Sequence, residues 1–404
     1  MNRFFYLFIL KTTTTSLFSK EFNLLLLCAF FFFISFNLII PELPAYLDSM
    51  GGEVYKGLII SLFTLTAALS RPFSGKLTDT FSRKYAIVFG AFVCMVVNFL
   101  YPLSFSIFFF LLLRLLHGLS TGFNPTGVSA YVADIVPIER RGEAMGYLGF
   151  FCSIGMAVGP MIGSWTKMNY DINTMFYTAG VFSLLTFLIS LSIKDSTKQK
   201  RLTKSNFKEV FQVSTEDFFD KKVIPVAIVM ILCEFSFGII LTIIPDFSDF
   251  IGIKDKSTYF TIYVLSSVVV RVLAGKVSDK YGRVPVLFYS LLVSLFAMLI
   301  LSFSTGVTSM VISAIILGFG LGTASPTLFA WTVDLSDKNK LGRGFSTMFI
   351  ALEIGIGLGA LISGTLYNSK IQNFSMIFGI GCVMFFLSIV YVFWYKRNKS
   401  NSET

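Results

Sequence analysis

The chain has 404 residues, of which 54% are hydrophobic and 14% are charged, whereas about 25% of the residues of a soluble domain are charged. This composition excludes an ordinary soluble domain and predicts membrane spans, each of which needs about 20 apolar residues. The net charge of +10 could indicate nucleic-acid binding, but the charges lie between apolar runs, where anionic lipid head groups are the expected neighbours. All five cysteines lie inside apolar runs without a C-x-x-C pair, and there is one histidine. We therefore expect no disulfide, no metal site and no cofactor.

Twelve apolar runs predict an all-α membrane protein with twelve transmembrane helices in two six-helix bundles. Residues 1–21 are predicted to be a cytoplasmic N-terminal segment at the membrane interface. The N-terminal bundle is residues 22–193, with helices near 22–46, 55–78, 85–102, 105–136, 144–165 and 174–193. A polar cytoplasmic linker, 194–222, follows. The C-terminal bundle is residues 223–395, with helices near 223–250, 258–278, 284–303, 341–367 and 374–395 and a tenth helix around Gly318 and Gly322. Residues 396–404 are predicted to be a disordered cytoplasmic tail.

A charged pattern after helix 2 returns after helix 8 at a constant offset of 200 residues. The shared residues are Gly75, Asp79 and Arg83 in the first copy and Gly275, Asp279 and Arg283 in the second, with Arg71 and Arg271 four residues before each glycine. A repeat of half a membrane protein predicts two pseudo-symmetric bundles related by an axis along the membrane normal. The glycine would let two helices approach closely, and the aspartate and arginine could pair across a helix interface. The alternative is a solvated loop.

This stretch resembles the signature G-x-L-x-D-R-x-G-R-[KR] that the major facilitator superfamily carries between its second and third helices. The first copy departs from the signature at Thr80 and Ser82, whereas the second keeps the inner glycine as Gly282. In helix 4, Arg114 is similar to the arginine of the family's R-x-x-x-G motif, and Asp134 resembles the family's partner for the charged loop. The resemblance implies a secondary transporter in which Asp134 and both copies of the loop belong to a cytoplasmic gate.

Helix 5 contains a second family-like motif, which runs from Gly155 to Ser164. It resembles the G-x-x-x-G-P-x-x-G-G motif of the superfamily's proton-driven exporters, with Ser164 replacing the last glycine and with Gly155, Gly159, Pro160 and Gly163 retained. Small residues four apart let helix backbones touch, and proline adds a bend. We expect Gly159 and Pro160 to shape a bent helix 5 against the opposite bundle. The alternative is ordinary glycine packing.

Ionisable residues inside apolar runs are costly in a bilayer and are functional candidates by default. Glu234 lies about 16 Å along helix 7 and Glu353 about 15 Å along helix 11, so both fall near mid-depth of a hydrocarbon core about 30 Å thick. Either could bind a proton or a cationic substrate, and the alternative is a carboxyl that is permanently neutral or paired with Arg114. Arg114 resembles the helix-4 arginine that the superfamily links to proton coupling. His117 and Asn37 are further candidates, although His117 could also be a packing residue.

A shorter repeat lies near the predicted outer mouth. The tetrad Ile-Ile-Pro-acid occurs in helix 1, where the acid is Glu42, and in helix 7, where the acid is Asp246. Proline is tolerated in a membrane helix where neighbours satisfy the freed carbonyl. We expect both acids to be hydrated residues of the rim.

The distribution of lysine and arginine predicts the orientation of the chain. With both termini in the cytoplasm, five basic residues fall outside the cell, namely Lys56, Lys167, Lys254, Lys256 and Lys370, and Arg114 lies inside the membrane. All the others, Arg71 and Arg271 included, fall on the cytoplasmic side. The reverse orientation would violate the positive-inside rule severely.

These features together predict a secondary active transporter that resembles the twelve-helix drug:proton antiporter branch of the superfamily. No Walker motif is present, so we do not expect nucleotide hydrolysis to supply the energy. We expect a monomer in the plasma membrane or bacterial inner membrane that exchanges protons for a drug-like molecule or a metabolite. One alternative is a proton-coupled or facilitative nutrient importer on the same fold. A remote alternative is an intramembrane enzyme, for which a lone histidine and the lack of H-E-x-x-H leave little chemistry.

Overall fold

The computed structural model describes residues 18–80, 82–136, 141–194, 219–336, 341–367 and 373–403. The first span, α1 (Lys20–Asp48), consists of an α-helix Lys20–Ile39, a 3-10 turn Ile40–Glu42 and an α-helix Leu43–Asp48. The other helices of the first half are α2 (Lys56–Thr80), α3 (Arg83–Leu100), α4 (Ile107–Ile135), α5 (Arg141–Asn169) and α6 (Ile172–Ser192). Those of the second half are α7 (Ile224–Phe250), α8 (Thr258–Tyr281), α9 (Arg283–Ser302), α10 (Val307–Leu335), α11 (Leu341–Tyr367) and α12 (Phe374–Glu403).

The length and apolar composition of these helices fit a membrane. Within the described residues, eleven helices are long and apolar enough to cross a bilayer. The twelfth, α8, has a shorter apolar stretch within the described residues, Thr258–Arg271. The described chain contains no strand, so the predicted all-α membrane fold is confirmed.

Short polar side chains begin several of the helices. The side chains of Ser19 and Ser106 accept hydrogen bonds from the backbone N–H groups of Phe22 and Phe109, both at 3.2 Å. Before α6, the side chain of Asp171 accepts a hydrogen bond from the backbone N–H of Thr174 at 2.6 Å. This hydrogen bond from Thr174 lowers the pKa of Asp171, because it stabilises the ionised carboxylate. The caps satisfy donors that the first turn of a helix leaves without partners.

The two halves use the same set of helix pairs. In the first half α1 packs on α5 and α6, α4 packs on α2 and α3, and α3 packs on α6. In the second half α7 packs on α11 and α12, α10 packs on α8 and α9, and α9 packs on α12. Each contact thus recurs with six added to the helix number. Equivalent glycines permit equivalent approaches: Gly118 of α4 lies on the carbonyl of Phe63, and Gly318 of α10 lies on that of Tyr263.

The halves meet mainly along two helix pairs, α2 with α11 and α5 with α8. These pairs are pseudo-symmetric equivalents, since adding six converts α2 to α8 and α5 to α11. A third contact joins α7 to the second part of α1, residues 40–48. Below, the end of the bundle that carries Lys56 is called the Lys56 end, and the opposite end is called the Arg83 end.

Two details of the sequence-based prediction are wrong. The charged signature is helical instead of a loop, because α2 continues through Thr80 and α3 begins at Arg83. In the second copy the turn is Gly282, whose φ of 86° is a left-handed conformation that favours glycine. The tail predicted to be disordered continues α12 to Glu403, since no proline or glycine interrupts the helix after Tyr395.

The predicted terminal segment and linker fall largely outside the described residues, which omit 1–17 and 195–218. The end of the linker is described and is held by α11. The backbone N–H of Asp220 donates to Thr347 Oγ1 at 2.7 Å, and Arg343 Nε donates to the carbonyl of Phe219 at 2.9 Å. The connection to the second half therefore docks on the helix that also carries Glu353.

Candidate functional site

A buried ion pair joins the halves through the interiors of α2 and α11. Arg71 Nη2 of α2 lies 2.8 Å from Glu353 Oε1 of α11, and these residues are only 7% and 5% exposed. Arg71 Nη1 donates to Thr126 Oγ1 at 3.2 Å, and the guanidinium lies 4.6 Å from the ring centroid of Phe349. Arg71 Nε is buried without a hydrogen-bond partner. A buried pair of this kind is sensitive to the loss of either charge, because the remaining charge would be left without compensation.

The depth of Arg71 was missed in the sequence, where it was assigned to the cytoplasmic side. Arg71 lies nine residues before Thr80, which is about 13 Å along a helix. That depth matches the depth predicted for Glu353 from its own helix. The signal was therefore present in the spacing, but the pairing of α2 with α11 was needed to show that the two charges meet.

Glu234 lies beside this ion pair, on α7. Its Cβ lies 2.9 Å from the position that a Cβ on Gly355 would occupy, two residues after Glu353 on α11. The side chain is half-buried, and it lies within electrostatic range of both Glu353 and Arg271. The structure thus brings together the two predicted intramembrane carboxyls, with Arg71 bonded to Glu353 and Arg271 within electrostatic range of Glu234.

The equivalent contact on the other side of the molecule lacks the carboxylate. Arg271 of α8 donates from Nη1 to Ser153 Oγ of α5 at 2.9 Å and from Nε to Ser267 Oγ at 3.1 Å. Arg271 is equivalent to Arg71, and Ser153 is equivalent to Glu353, both by the 200-residue offset. The two interfaces therefore share a geometry, in which one arginine binds a carboxylate and the other binds hydroxyls.

Arg114 and His117 belong to a separate polar cluster inside the first half. Arg114 is 1% exposed, donates from Nε to the carbonyl of Ile59 at 2.8 Å and lies 4.6 Å from the ring centroid of Phe63. Both residues contact the hydroxyl of Tyr101, His117 through Nδ1 at 3.1 Å and Arg114 through Nη1 at 3.4 Å. The alternative in which Arg114 pairs with Glu353 is wrong, because Glu353 pairs with Arg71.

Asn37 and the helix-5 motif lie together at the contact between α1 and α5. Asn37 Nδ2 donates to the carbonyl of Phe33 at 2.8 Å, and its Cβ lies 3.2 Å from a Cβ built on Gly159. Gly155 and Gly163 likewise face α1, against the carbonyls of Phe30 and Leu38. The prediction that Gly159 packs against the opposite bundle is therefore wrong. The glycines instead let α5 approach a neighbour in its own half.

Buried charges also occur at the Lys56 end, where hydrated rim residues were expected. Lys56 is 3% exposed, and its Nζ lies 2.8 Å from Asp246 Oδ2 and 2.7 Å from Asp48 Oδ2. Because Asp246 belongs to α7, this cluster joins the two halves. Glu42 is 1% exposed, accepts a hydrogen bond from Ser164 Oγ at 2.8 Å and lies 3.5 Å from Lys167 Nζ. The expectation of hydrated acids is wrong here, because each carboxylate has a lysine that permits its burial.

The predicted gate residues lie at the Arg83 end, and those that are described pair within each half. Arg83 Nε lies 3.0 Å from Asp134 Oδ2, and Arg283 Nε lies 2.8 Å from Asp334 Oδ2. Arg283 also pairs with Asp279. The side chain of Asp79 is outside the described part of the chain.

The two glycines of the signature are equivalent in sequence, and only one has a described contact. A Cβ on Gly75 would lie 3.9 Å from Ser346 Oγ of α11, so this end of α2 also approaches the second half. Gly275 lies in the equivalent stretch of α8.

Twelve helices in two pseudo-symmetric halves, with buried charges between the halves, are the architecture of a multi-pass membrane protein. The chain belongs to the Major Facilitator Superfamily, whose family model matches residues 25–259 and 226–404. It is accordingly a transporter and not an enzyme. The family resemblance seen in the signature stretch is confirmed.

Curated relatives and solved structures agree with this assignment. The Quinolone resistance protein NorA of Staphylococcus aureus is 24% identical over 362 residues, which cover 88% of this chain and 92% of that protein. Multidrug resistance protein 2 of Bacillus subtilis is 27% identical over 374 residues, covering 87% and 91%. In fold, the chain is similar to a peptide transporter POT in complex with sulfate (TM-score 0.76, 16% identity, 94% of each chain). It is also similar to the human organic anion transporter MFSD10 (TM-score 0.73, 16% identity, 93% and 100%).

Proposed function

We propose that this transporter exports a small drug-like molecule or metabolite in exchange for protons, by alternating access between its two halves. The observation that carries the proposal is the group of Glu234, Glu353 and Arg71, which couples two carboxyls to the contact between the halves. The names of the relatives, which refer to quinolone and multidrug resistance, support export of a drug-like molecule. Binding at mid-depth between the halves is the arrangement that alternating access requires.

Glu234 is proposed to be the group that accepts the transported proton. A carboxylate near mid-depth is costly unless it is paired or protonated. Glu353 and Arg71 satisfy each other, whereas Glu234 has no hydrogen bond or ion pair of its own described and is half-buried. Glu234 is therefore the carboxyl that gains most from protonation when water leaves the interface, and that loses the proton when water returns.

Arg71 is proposed to transmit this change to the helices. When Glu353 is ionised it holds Arg71, and an ionised Glu234 lies near both Glu353 and Arg271, which favours a closed contact between α2 and α11. Protonation of Glu234 and then of Glu353 removes the charges that hold Arg71. The α2–α11 contact then loses its central attraction, and the halves can rock apart. Proton movement and the opening of the interface are thereby one event.

The proposed orientation has both termini in the cytoplasm, with the Arg83 end facing the cytoplasm. Lysines and arginines concentrate at that end, as the positive-inside rule requires. The pairs of Arg83 with Asp134 and of Arg283 with Asp334 then belong to a cytoplasmic gate, to which Asp79 and Asp279 also contribute. The Lys56 cluster closes the outer end in this conformation, since Lys56 and Asp246 come from opposite halves. The protein is proposed to act as a monomer in the cell membrane.

The decisive test is uphill transport by Glu234→Gln. Glutamine preserves the shape of the side chain but cannot titrate, so we expect this variant to bind substrate and to lose proton-driven accumulation. Inside-out membrane vesicles with an imposed proton gradient, supplied with a quinolone, would measure accumulation and binding separately. Glu53→Gln is the matched control, because Glu53 is an exposed carboxylate at the Lys56 end. The control should transport like the wild type.

The outcomes separate the proposed roles. Normal uphill transport by Glu234→Gln together with its loss in Glu353→Gln would move proton binding to α11. If both variants keep uphill transport, the coupling group lies elsewhere, and Arg114 and Asp134 are the next residues to replace. Accumulation of substrate inside intact cells, in place of proton-dependent efflux, would establish the importer alternative.

A further inference from the structure

The second half contains a crevice on its outer surface. It has a volume of about 500 Å³ and lies where α8, α9 and α10 meet, near the Arg83 end. Its walls are almost entirely apolar and include Val270, Val277, Val286, Tyr289, Val293 and Phe319.

The crevice opens towards the lipid. Tyr289 is 67% exposed, and the same face of α9 continues with Phe296 and Phe303, which are also highly exposed. A row of exposed aromatic side chains on a membrane helix faces lipid, because water would make their exposure costly. The expected occupant of the crevice is therefore an acyl chain.

Comparison with the first half shows why side chains do not fill the crevice. At the equivalent position in the first half, Phe89 of α3 packs against Phe123 of α4, with ring centroids 4.7 Å apart. The 200-residue offset converts these residues to Tyr289 and Thr323. Thr323 contributes only a small side chain, whose hydroxyl bonds to the carbonyl of Phe319 in its own helix. One aromatic ring is therefore missing from the second half, and the space it would fill remains open.

The length and charge of the crevice fit one phospholipid. Its wall on α8 runs from Val270 to Tyr281, about 16 Å along a helix, which matches half of a hydrocarbon core about 30 Å thick. At the end nearer the membrane surface, the exposed Lys280 lies with its Nζ 5.2 Å from the ring centroid of Tyr281. A lysine at the head-group level attracts anionic lipids.

We propose that this crevice binds an anionic phospholipid, with one acyl chain between α9 and α10 and the head group at Lys280. The site is distinct from the proton site, since Glu234 and Glu353 lie on α7 and α11. Because α8 also carries Arg271 and contacts α5 across the interface, a bound lipid would brace the helix at one of the two contacts between the halves.

The test compares lipid binding by wild-type protein and two variants. The full chain is reconstituted in vesicles of phosphatidylglycerol and phosphatidylcholine, extracted in detergent, and its retained phospholipids are counted by mass spectrometry. We expect the wild type to retain phosphatidylglycerol in preference to phosphatidylcholine. Thr323→Phe restores the ring of the first half and should abolish retention of the lipid. Lys280→Gln should leave the acyl-chain site intact and reduce the preference for phosphatidylglycerol about fivefold.

A control and three outcomes keep the proposal open to refutation. Val383→Phe adds a ring at an exposed position of α12, away from the crevice, and should not change retention. Undiminished phosphatidylglycerol retention by Thr323→Phe would overturn the crevice as the site. Equal retention of both lipids by the wild type, or an unchanged preference in Lys280→Gln, would overturn the anionic head-group assignment. If Thr323→Phe does not fold, Val293→Trp obstructs the same crevice from α9 and gives the same comparison.

Discussion

The α2–α11 and α5–α8 interfaces are equivalent by symmetry and differ in how they are held together. At α2–α11, an arginine bonds to a buried carboxylate, and glycines bring the backbones into contact. Gly57 and Gly364 lie so close that a Cβ on either would clash with the other helix. At α5–α8 the equivalent arginine bonds to a serine, and a cleft of about 590 Å³ lies between α5 and the start of α8, lined by Trp165 and Thr261 among others.

The comparison indicates how duplicated halves acquire different tasks. The same backbone geometry positions Arg71 and Arg271, but a single difference, Glu353 against Ser153, converts a hydrogen bond into an ion pair. An ion pair in a low-dielectric interior depends on the protonation of its carboxyl, whereas a bond to a hydroxyl does not. We therefore expect α2–α11 to respond to protons and α5–α8 to act as the less tightly held contact.

The largest effect is expected from Arg71→Met. Removing the guanidinium leaves Glu353 buried without its partner. Breaking a buried ion pair in this way lowers the free energy of unfolding by about 3–5 kcal/mol. Transport should be lost, and thermal unfolding in detergent should occur at a lower temperature. Arg271→Met is the matched comparison, and its lost hydrogen bonds should cost only about 1 kcal/mol, because its bonded partners are hydroxyls and Glu234 is a more distant charge. Equal losses in the two variants would contradict the asymmetry.

A glycine substitution should sharpen the difference in packing. A Cβ on Gly57 would lie 2.8 Å from the carbonyl oxygen of Ala360, so Gly57→Ala should force α2 and α11 apart at a cost of about 1–3 kcal/mol. Gly149→Ala on α5 is the control, because its Cβ would meet no atom within 4 Å. Alanine there should be neutral or stabilising by up to about 1 kcal/mol, since it favours the helix. Thermal unfolding of both variants measures the contrast, and a stable Gly57→Ala would show that the contact is not tight.

Installing the missing carboxylate should make the interfaces more alike. Ser153→Glu places an acid beside Arg271, and we expect an ion pair between α5 and α8. An added attraction of about 1.4 kcal/mol corresponds to a tenfold change in an equilibrium, so turnover should fall about tenfold. Ser153→Gln matches the size of the new side chain without its charge and should transport faster than Ser153→Glu. The measurement is the transport rate of each variant in vesicles. Equal rates would show that charge at this position does not hold the interface.

The smallest effect on stability is expected at the Arg83 end. Arg83→Gln breaks a partly exposed pair with Asp134, and such pairs contribute about 0–1 kcal/mol. The pair lies within one half, so its loss should leave the stability of the α2–α11 contact almost unchanged. If Arg83 is a gate residue, turnover should nevertheless fall, and initial transport rates would detect this. Wild-type turnover would favour the alternative of a solvated charge.

Several levels of the structure follow directly from the linear order of residues. Apolar runs located twelve helices, because a chain in the bilayer has few other ways to pair its backbone N–H and C=O groups. The 200-residue offset between Arg71 and Arg271 predicted the pseudo-symmetry, and the depths of Glu234 and Glu353 followed from the helical rise. The motif of Gly155, Gly159 and Gly163 correctly indicated a close helix contact, but the partner helix was wrong.

The sequence could not determine which helix faces pack against each other. Helical rise places a residue at a depth, and it leaves open which neighbour lies at that depth. The pairing of Arg71 with Glu353, the burial of Lys56 between Asp48 and Asp246, and the packing of Gly159 on α1 all join residues that are distant in the chain. Such contacts depend on how helices from two halves pack together. Sequence alone therefore determined the membrane fold, its repeat and the position of each charge along its helix, and only the tertiary structure decided which charges neutralise each other, because burial of an ion is tolerated only where packing supplies its partner.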